Sequence, residues 1–149
     1  MDQMLSKRWP VALSVYFICA IIPELMQDEH WMHLAILQAR QAAEMGEIPV
    51  GAIVVQDDQV IGEGYNRKEE LADPTAHAEI LALRQAGETL GSWRLNGATL
   101  YCTLEPCSMC AGAMVNARLD RLVFALRDPK TGAAGSVYDL VRSPWLNHR

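Results

Sequence analysis

Two short segments constrain this chain more than anything else in it: Pro-Thr-Ala-His-Ala-Glu-Ile at residues 74–80 and Leu-Glu-Pro-Cys-Ser-Met-Cys at residues 104–110. Each reads as backbone entering a helix through a proline, which a first turn tolerates because the N–H it lacks has no helical partner there. In the first segment Asp73 is the expected cap, Pro74 takes the first helical position and His77 falls in the first turn. In the second, Cys107 and Cys110 stand at i and i+3, so both thiols leave one face of the helix start. A fold that sets the two helix starts side by side brings one imidazole and two thiols to a point.

The rest of the chain supplies such a fold. From Asp28 to Gly46 there is a helical period, with Trp31, Leu34, Ala35, Leu37, Ala39 and Ala42 on the buried stripe, acidic residues in the first turn and Gly46 at the end. Residues 49–66 read as two strands joined in a hairpin at Asp57–Asp58. Residues 73–87 form a helix that Gly87 ends, 97–104 a strand, 105–119 a helix opened by Pro106, and 120–126 another strand. Residues 127–136 are a loop, and the tail from Val137 has no decisive pattern. Strands separated by single helices imply crossovers with helices on both faces of a sheet, and the opening hairpin makes that sheet mixed. The expected architecture is α/β, a three-layer α/β/α sandwich.

A length of 149 residues, half of them hydrophobic and 21% charged, fits one domain with one sizeable core. The amino terminus stands apart. After Lys7 and Arg8, the run from Val11 to Ile22 is almost wholly apolar and is closed by Pro23. It is too short to span a bilayer comfortably and has the length of a signal-peptide core, but no small-x-small cleavage site follows. Residues 1–26 are therefore read as an extension outside the fold, with an export signal as the alternative, and residues 27–149 as the domain.

Charge is uneven. Residues 1–105 hold 7 Lys/Arg against 15 Asp/Glu, and residues 106–149 hold 6 against 3. The net −5 argues against a protein that coats nucleic acid nonspecifically, while the basic carboxyl-terminal third suits a phosphate-bearing partner.

His77, Cys107 and Cys110 make three borderline-to-soft donors, a set that suits zinc with a fourth position left for water. Structural zinc sites close with four protein ligands, whereas open three-ligand sites are catalytic. Zinc brings the pKa of bound water towards neutrality, and helix N-termini favour thiolates and hydroxide. Glu79, two residues beyond His77, reaches the same cavity without being forced onto the metal and can carry a proton from water to a leaving amine. The chemistry implied is hydrolytic removal of an amino group from an unsaturated ring. Taken singly, these residues have plainer readings: a C-x-x-C pair is often structural or redox, and a buried histidine is usually hydrogen-bonded core. Cys102 reads as a small core residue, Cys19 has no role, and Met109 and Met114 read as core fillers.

H-x-E paired with P-C-x-x-C is the pattern of the zinc-dependent nucleobase deaminases. Within them, E-I-P-V-G-A-I-V-V, V-I-G-E-G-Y-N, D-P-T-A-H-A-E-I and residues 99–136 together resemble the bacterial tRNA-specific adenosine deaminases over most of residues 27–142. The resemblance implies a cytidine-deaminase-like fold and a hydrolase that converts adenosine to inosine at the anticodon wobble position. It implies one Zn2+ per chain on His77, Cys107 and Cys110, with Glu79 as proton shuttle. It further implies that Asn66 hydrogen-bonds the base, Asp128 lies against the sugar and backbone of the target nucleotide, and Val50 lines the base pocket. Read without it, Asn66 is a strand-ending turn residue and Asp128 a loop aspartate capping its own backbone. A tRNA anticodon stem-loop as partner, a homodimer, a cytoplasmic setting and no membrane partner follow from the same resemblance, as does a further carboxyl-terminal helical segment beyond this sequence. The competing readings are a deaminase of a free base or nucleotide with the same zinc site, and an idle zinc module that only binds.

Overall fold

The computed structural model describes the backbone of residues 11–146 and the side chains of residues 25–146. The chain divides into two compact units, residues 1–30 and 31–149. The elements are α1 (Val11–Glu44), β1 (Gly51–Gln56), β2 (Gln59–Tyr65), α2 (Lys68–Leu71), α3 (Ala78–Leu90), β3 (Thr99–Leu104), α4 (Ser108–Asn116) and β4 (Arg121–Leu126).

α1 does not begin at Asp28 as its caps suggest. The helix continues back through Pro23 to Val11, so the acidic pair is interior to it. The reading of the amino-terminal stretch as an export signal rests on residues 1–24, whose side chains lie outside the described residues, as does Cys19. Among the described residues, no helix is long and apolar enough to cross a membrane.

The sheet has the order β2-β1-β3-β4. β1 runs antiparallel to β2 and to β3, whereas β3 and β4 are parallel and joined through α4, so the sheet is mixed as expected. The hairpin turns at Asp57 and Asp58, both with positive φ (50° and 57°), the two-residue geometry that matches strand twist and that aspartate tolerates.

Period-two alternation sorts the strands' side chains into two layers. Ala52, Val54, Leu100 and Cys102 face α3 and α4 and are wholly buried with Ala78, Ala82, Ala86 and Met114. Ile53, Val55 and Tyr101 face the other way, against Ala35 with Trp31, Met32 and Leu34. The three layers are thus α1 from Trp31 onward, the sheet, and α3 with α4. Leu37 does not join the buried stripe. It lies two residues, about 200° of helical turn, from Ala35 and is exposed.

α3 lies unusually close to β2. A Cβ on Gly64 would stand 2.5 Å from the Ala78 carbonyl oxygen, and one on Gly62 would stand 2.2 Å from that of Ala82. The i, i+4 row Ala78, Ala82, Ala86 on the helix and the two glycines on the strand let backbone pack on backbone. Gly87 does not end α3. It is an interior residue, and the helix runs on to Leu90, where Gly91 at φ +60° supplies the left-handed stop. The short α2 was not anticipated. Among the described residues, the tail after β4 forms no regular element, only isolated bridges.

Candidate active site

The start of β1 and the ends of β2, β3 and β4 share one edge of the sheet, because Gly51 pairs with Tyr65, Ala52 with Cys102 and Leu104 with Leu126. The residues just beyond those strand ends are Val50, Asn66, the run Glu105-Pro106-Cys107, and Asp128. α3 and α4 both begin at this edge.

The helix starts differ from the sequence reading in one respect that matters. Asp73 does not cap α3. Its Oδ1 accepts from the Thr75 N–H at 2.8 Å and the Thr75 hydroxyl at 2.7 Å, closing a turn around Pro74. The helix begins only at Ala78, and His77 is its N-cap residue with extended backbone, φ −76° and ψ 150°. Cys107 holds the same place on α4, φ −71° and ψ 174°. Neither side chain caps its helix. Extended backbone therefore leaves both donors free ahead of the helix ends, while Cys110 projects back from the first turn.

The three meet. His77 Nδ1 lies 3.7 Å from Cys107 Sγ and 3.6 Å from Cys110 Sγ, and the two sulfurs are 3.7 Å apart. This near-equilateral triangle can hold one metal ion. The sulfurs are too far apart for a disulfide, whose S–S bond is about 2.05 Å. The hydrogen bond with Cys110 brings the Cys107 thiol down to about 5; the Cys110 and Met109 N–H groups and the neighbouring His77 ring add to this against burial. Cys110 is pushed far up, first by that same hydrogen bond, then by burial and by the Glu79 carboxylate.

Glu79 is almost fully buried at the second position of α3. Burial raises its carboxyl above the ordinary range, opposed by its own N–H and by the neighbouring His77. A cavity of about 320 Å3 opens over this corner, lined by Ile48, Val50, Asn66, Lys68, His77, Glu79, Leu104, Glu105, Cys107, Asp128 and Thr131. Every candidate named from the sequence lines it except Cys110, which is buried beneath.

Asn66 is 4% exposed, and its backbone N–H donates to the Val50 carbonyl at 3.0 Å. Among the described residues its side-chain amide has no hydrogen-bond partner. Asp128 binds its own loop: Oδ1 accepts from the N–H groups of Lys130 at 2.8 Å and Thr131 at 3.2 Å, and Oδ2 from the Thr131 hydroxyl at 2.5 Å. The Thr131 hydroxyl, followed by these N–H groups, holds the Asp128 carboxyl below its usual range. Cys102 is wholly buried, its thiol pushed well up by burial, as a core residue should be.

Sequence reasoning missed two buried carboxylates: Glu105, which lines the cavity, and Glu47, which braces α2, whose Lys68 lines it. Glu47 accepts from the N–H groups of Glu69 at 2.8 Å and Glu70 at 3.0 Å, capping α2 beside Lys68. Glu105 is 2% exposed and accepts from Asp128, Ala134 and Ser136. Burial works to raise its carboxyl, but the Ser136 hydroxyl and the three N–H donors win and hold it below its ordinary range. Their only sequence trace is an acidic residue directly before an apolar or proline position.

The family model of the MafB19-like deaminases matches residues 26–147. The tRNA-specific adenosine deaminase of Agrobacterium fabrum is 50% identical over 124 residues, covering 83% of this chain and 82% of that protein. A solved tRNA:A34 deaminase, studied for A-to-I editing at the wobble position of transfer RNA, superposes with a TM-score of 0.78 at 49% identity, covering 81% of this chain and 88% of the other. The guanine deaminase of Bacillus subtilis follows at a TM-score of 0.66 and 37% identity, covering 74% and 70%. The chain belongs to the MafB19-like deaminase family, among the tRNA-specific adenosine deaminases.

Proposed function

We propose that this chain converts adenosine to inosine at the wobble position of a tRNA anticodon, in the cytoplasm and as a homodimer, with one zinc ion per chain on His77, Cys107 and Cys110. The observation that carries the reading is the donor triangle with a buried carboxylate beside it at the base of a cavity. A tetrahedral zinc with Zn–S near 2.3 Å and Zn–N near 2.05 Å has S–S edges of about 3.8 Å and N–S edges of about 3.6 Å. The sulfurs here are 3.7 Å apart and the nitrogen lies 3.6 and 3.7 Å from them, so the donor set fits.

Bound zinc supplies a Lewis acid that makes water reactive at neutral pH. The protein's own groups do the rest. Glu79, with a raised carboxyl and no place among the three ligands, takes the proton as water adds to C6 of the adenine ring. The same carboxyl then gives a proton to the amino group, the C6–N bond breaks, and ammonia leaves, so one water is consumed for each ammonia released. The amide of Asn66, which lines the cavity and has no partner among the described residues, suits a hydrogen bond to the edge of the base. Val50 and Ile48 supply the apolar wall. Asp128 stiffens the rim that faces sugar and backbone.

The test is inosine formation by the purified protein on an anticodon stem-loop carrying a wobble adenosine, with free adenosine, cytidine and guanine in parallel. Robust turnover of a free base with none on the stem-loop would replace this reading with that of a small-molecule deaminase.

A further inference from the structure

The clasp between the metal-bearing turn and the loop opposite it gives Glu105 a role of its own. The Glu105 carboxylate takes four donors, all from residues 128–136: Asp128 N–H at 3.1 Å and the Ser136 hydroxyl on Oε2, Ala134 N–H at 3.0 Å and Ser136 N–H at 2.9 Å on Oε1. A carboxylate offers about four lone-pair positions, so none is left for a substrate proton. The clasp continues on either side. Glu105 N–H donates to the Leu126 carbonyl at 2.7 Å, Ala133 N–H to the Pro106 carbonyl at 2.8 Å, and Cys107 bridges to Gly132. Gly132 sits so close that a Cβ there would be 2.6 Å from the Glu105 carboxyl carbon. Asp128 and Thr131, on the clasped loop, form one rim of the cavity.

We propose that Glu105 is a positioning residue that locks the 128–136 loop onto the strand-to-helix turn carrying Cys107, and so sets the grip on the nucleotide backbone around the target base. This rests on the proposed function for what the loop grips. Glutamine at 105 keeps the volume but turns one oxygen into an NH2 group, so one pair of loop donors faces a donor. Glutamine therefore loosens the rim without touching the three metal ligands or Glu79.

The test compares wild type, Glu105→Gln and the milder Ser136→Ala, each loaded with zinc, on the anticodon stem-loop. Glu105→Gln should raise KM by about 5- to 100-fold, with kcat at saturation within about threefold and metal content unchanged. Ser136→Ala should move KM the same way by less. Amide exchange at Ala134 and Ser136 should quicken in Glu105→Gln whatever the substrate proves to be. A fall in kcat at unchanged KM, loss of metal, or exchange and KM both like wild type would each overturn the proposal. Wild type inert on the stem-loop would overturn the proposed function instead, and unaltered exchange would then still refute the clasp.

Discussion

Gly64→Ala is the sharpest test of how the fold delivers His77 and Glu79 to the site. The added Cβ would stand 2.5 Å from the Ala78 carbonyl oxygen and 2.8 Å from the Ala82 nitrogen, both backbone atoms that cannot rotate away. An ordinary contact is at about 3.4 Å, so the first turn of α3 must retreat by about 0.9 Å. Overpacking of this kind costs about 1–3 kcal/mol, which at this chain length lowers Tm by roughly 2–12 °C. The displaced turn is the one whose cap is His77 and whose second residue is Glu79. A misplacement near 1 Å in a catalytic group costs about 100-fold in rate. Gly62→Ala provides the comparison, because its Cβ would press on Ala82 and Ala86, a turn or two further along α3. Thermal unfolding and kcat/KM on the anticodon stem-loop, measured for both variants, separate stability from alignment. Gly64→Ala should lose far more activity than Gly62→Ala at similar stability. Equal losses of activity in the two, or a Gly64→Ala protein with wild-type Tm and rate, would refute the idea that the glycine seam sets the position of the α3 start.

Further outcomes follow from the same geometry. Glu79→Gln should lower the deamination rate by about 100- to 10,000-fold while metal analysis still finds about one zinc per chain; loss of the metal would make Glu79 a ligand. Cys110→Ser should lose both metal and activity, because the remaining imidazole and thiol leave the triangle open, and zinc-binding titration reads the drop. Leu100→Ala empties a wholly buried position between the sheet and the α3–α4 layer and should cost about 2–5 kcal/mol in denaturant unfolding. Removal of residues 1–25 should leave deamination within about twofold, since the family match begins at residue 26; a larger fall in kcat/KM would bring the extension into the functional protein.

What the sequence disclosed depended on how local the chemistry is. His77 with Glu79, and Cys107 with Cys110, each sit within one turn of chain, so their residue types and spacing point to a metal site before any fold is known. The helix ends were less legible, and the reasons are specific. Gly87 and Gly91 are equally good stops on paper, but only Gly91 adopts the left-handed conformation, because Gly87 is still within the helical hydrogen-bond ladder. Asp73 and Pro74 make a good cap on paper, but Thr75 offers both its N–H and its hydroxyl to Asp73, and that turn delays the helix to Ala78. Glu105 and Glu47 could not be read at all. Their donors lie between 22 and 31 residues away along the chain, and a glutamate among turn residues looks solvated until the fold closes over it.

The topology explains why chemistry and substrate choice differ in legibility. Strand order β2-β1-β3-β4, with only β1 reversed, places three strand ends and one strand start at a single edge. Each contributes from the one to three residues just outside it: Asn66 from β2, Val50 from β1, Glu105 to Cys107 from β3 and Asp128 from β4. The three donors proposed for the metal stand 3.6–3.7 Å apart and are fixed at the starts of two helices. The groups that would face the substrate stand on the connections, which change conformation and length without disturbing the core. Glu47 and Glu105 reconcile the two demands. Each uses a buried carboxylate to fasten a connection to the rigid frame, Glu47 holding α2 and Glu105 the loop of Asp128. On this argument, variants of the metal donors should abolish turnover of every substrate alike, whereas variants of the two fastening carboxylates should alter the preference between an RNA stem-loop and a free nucleoside.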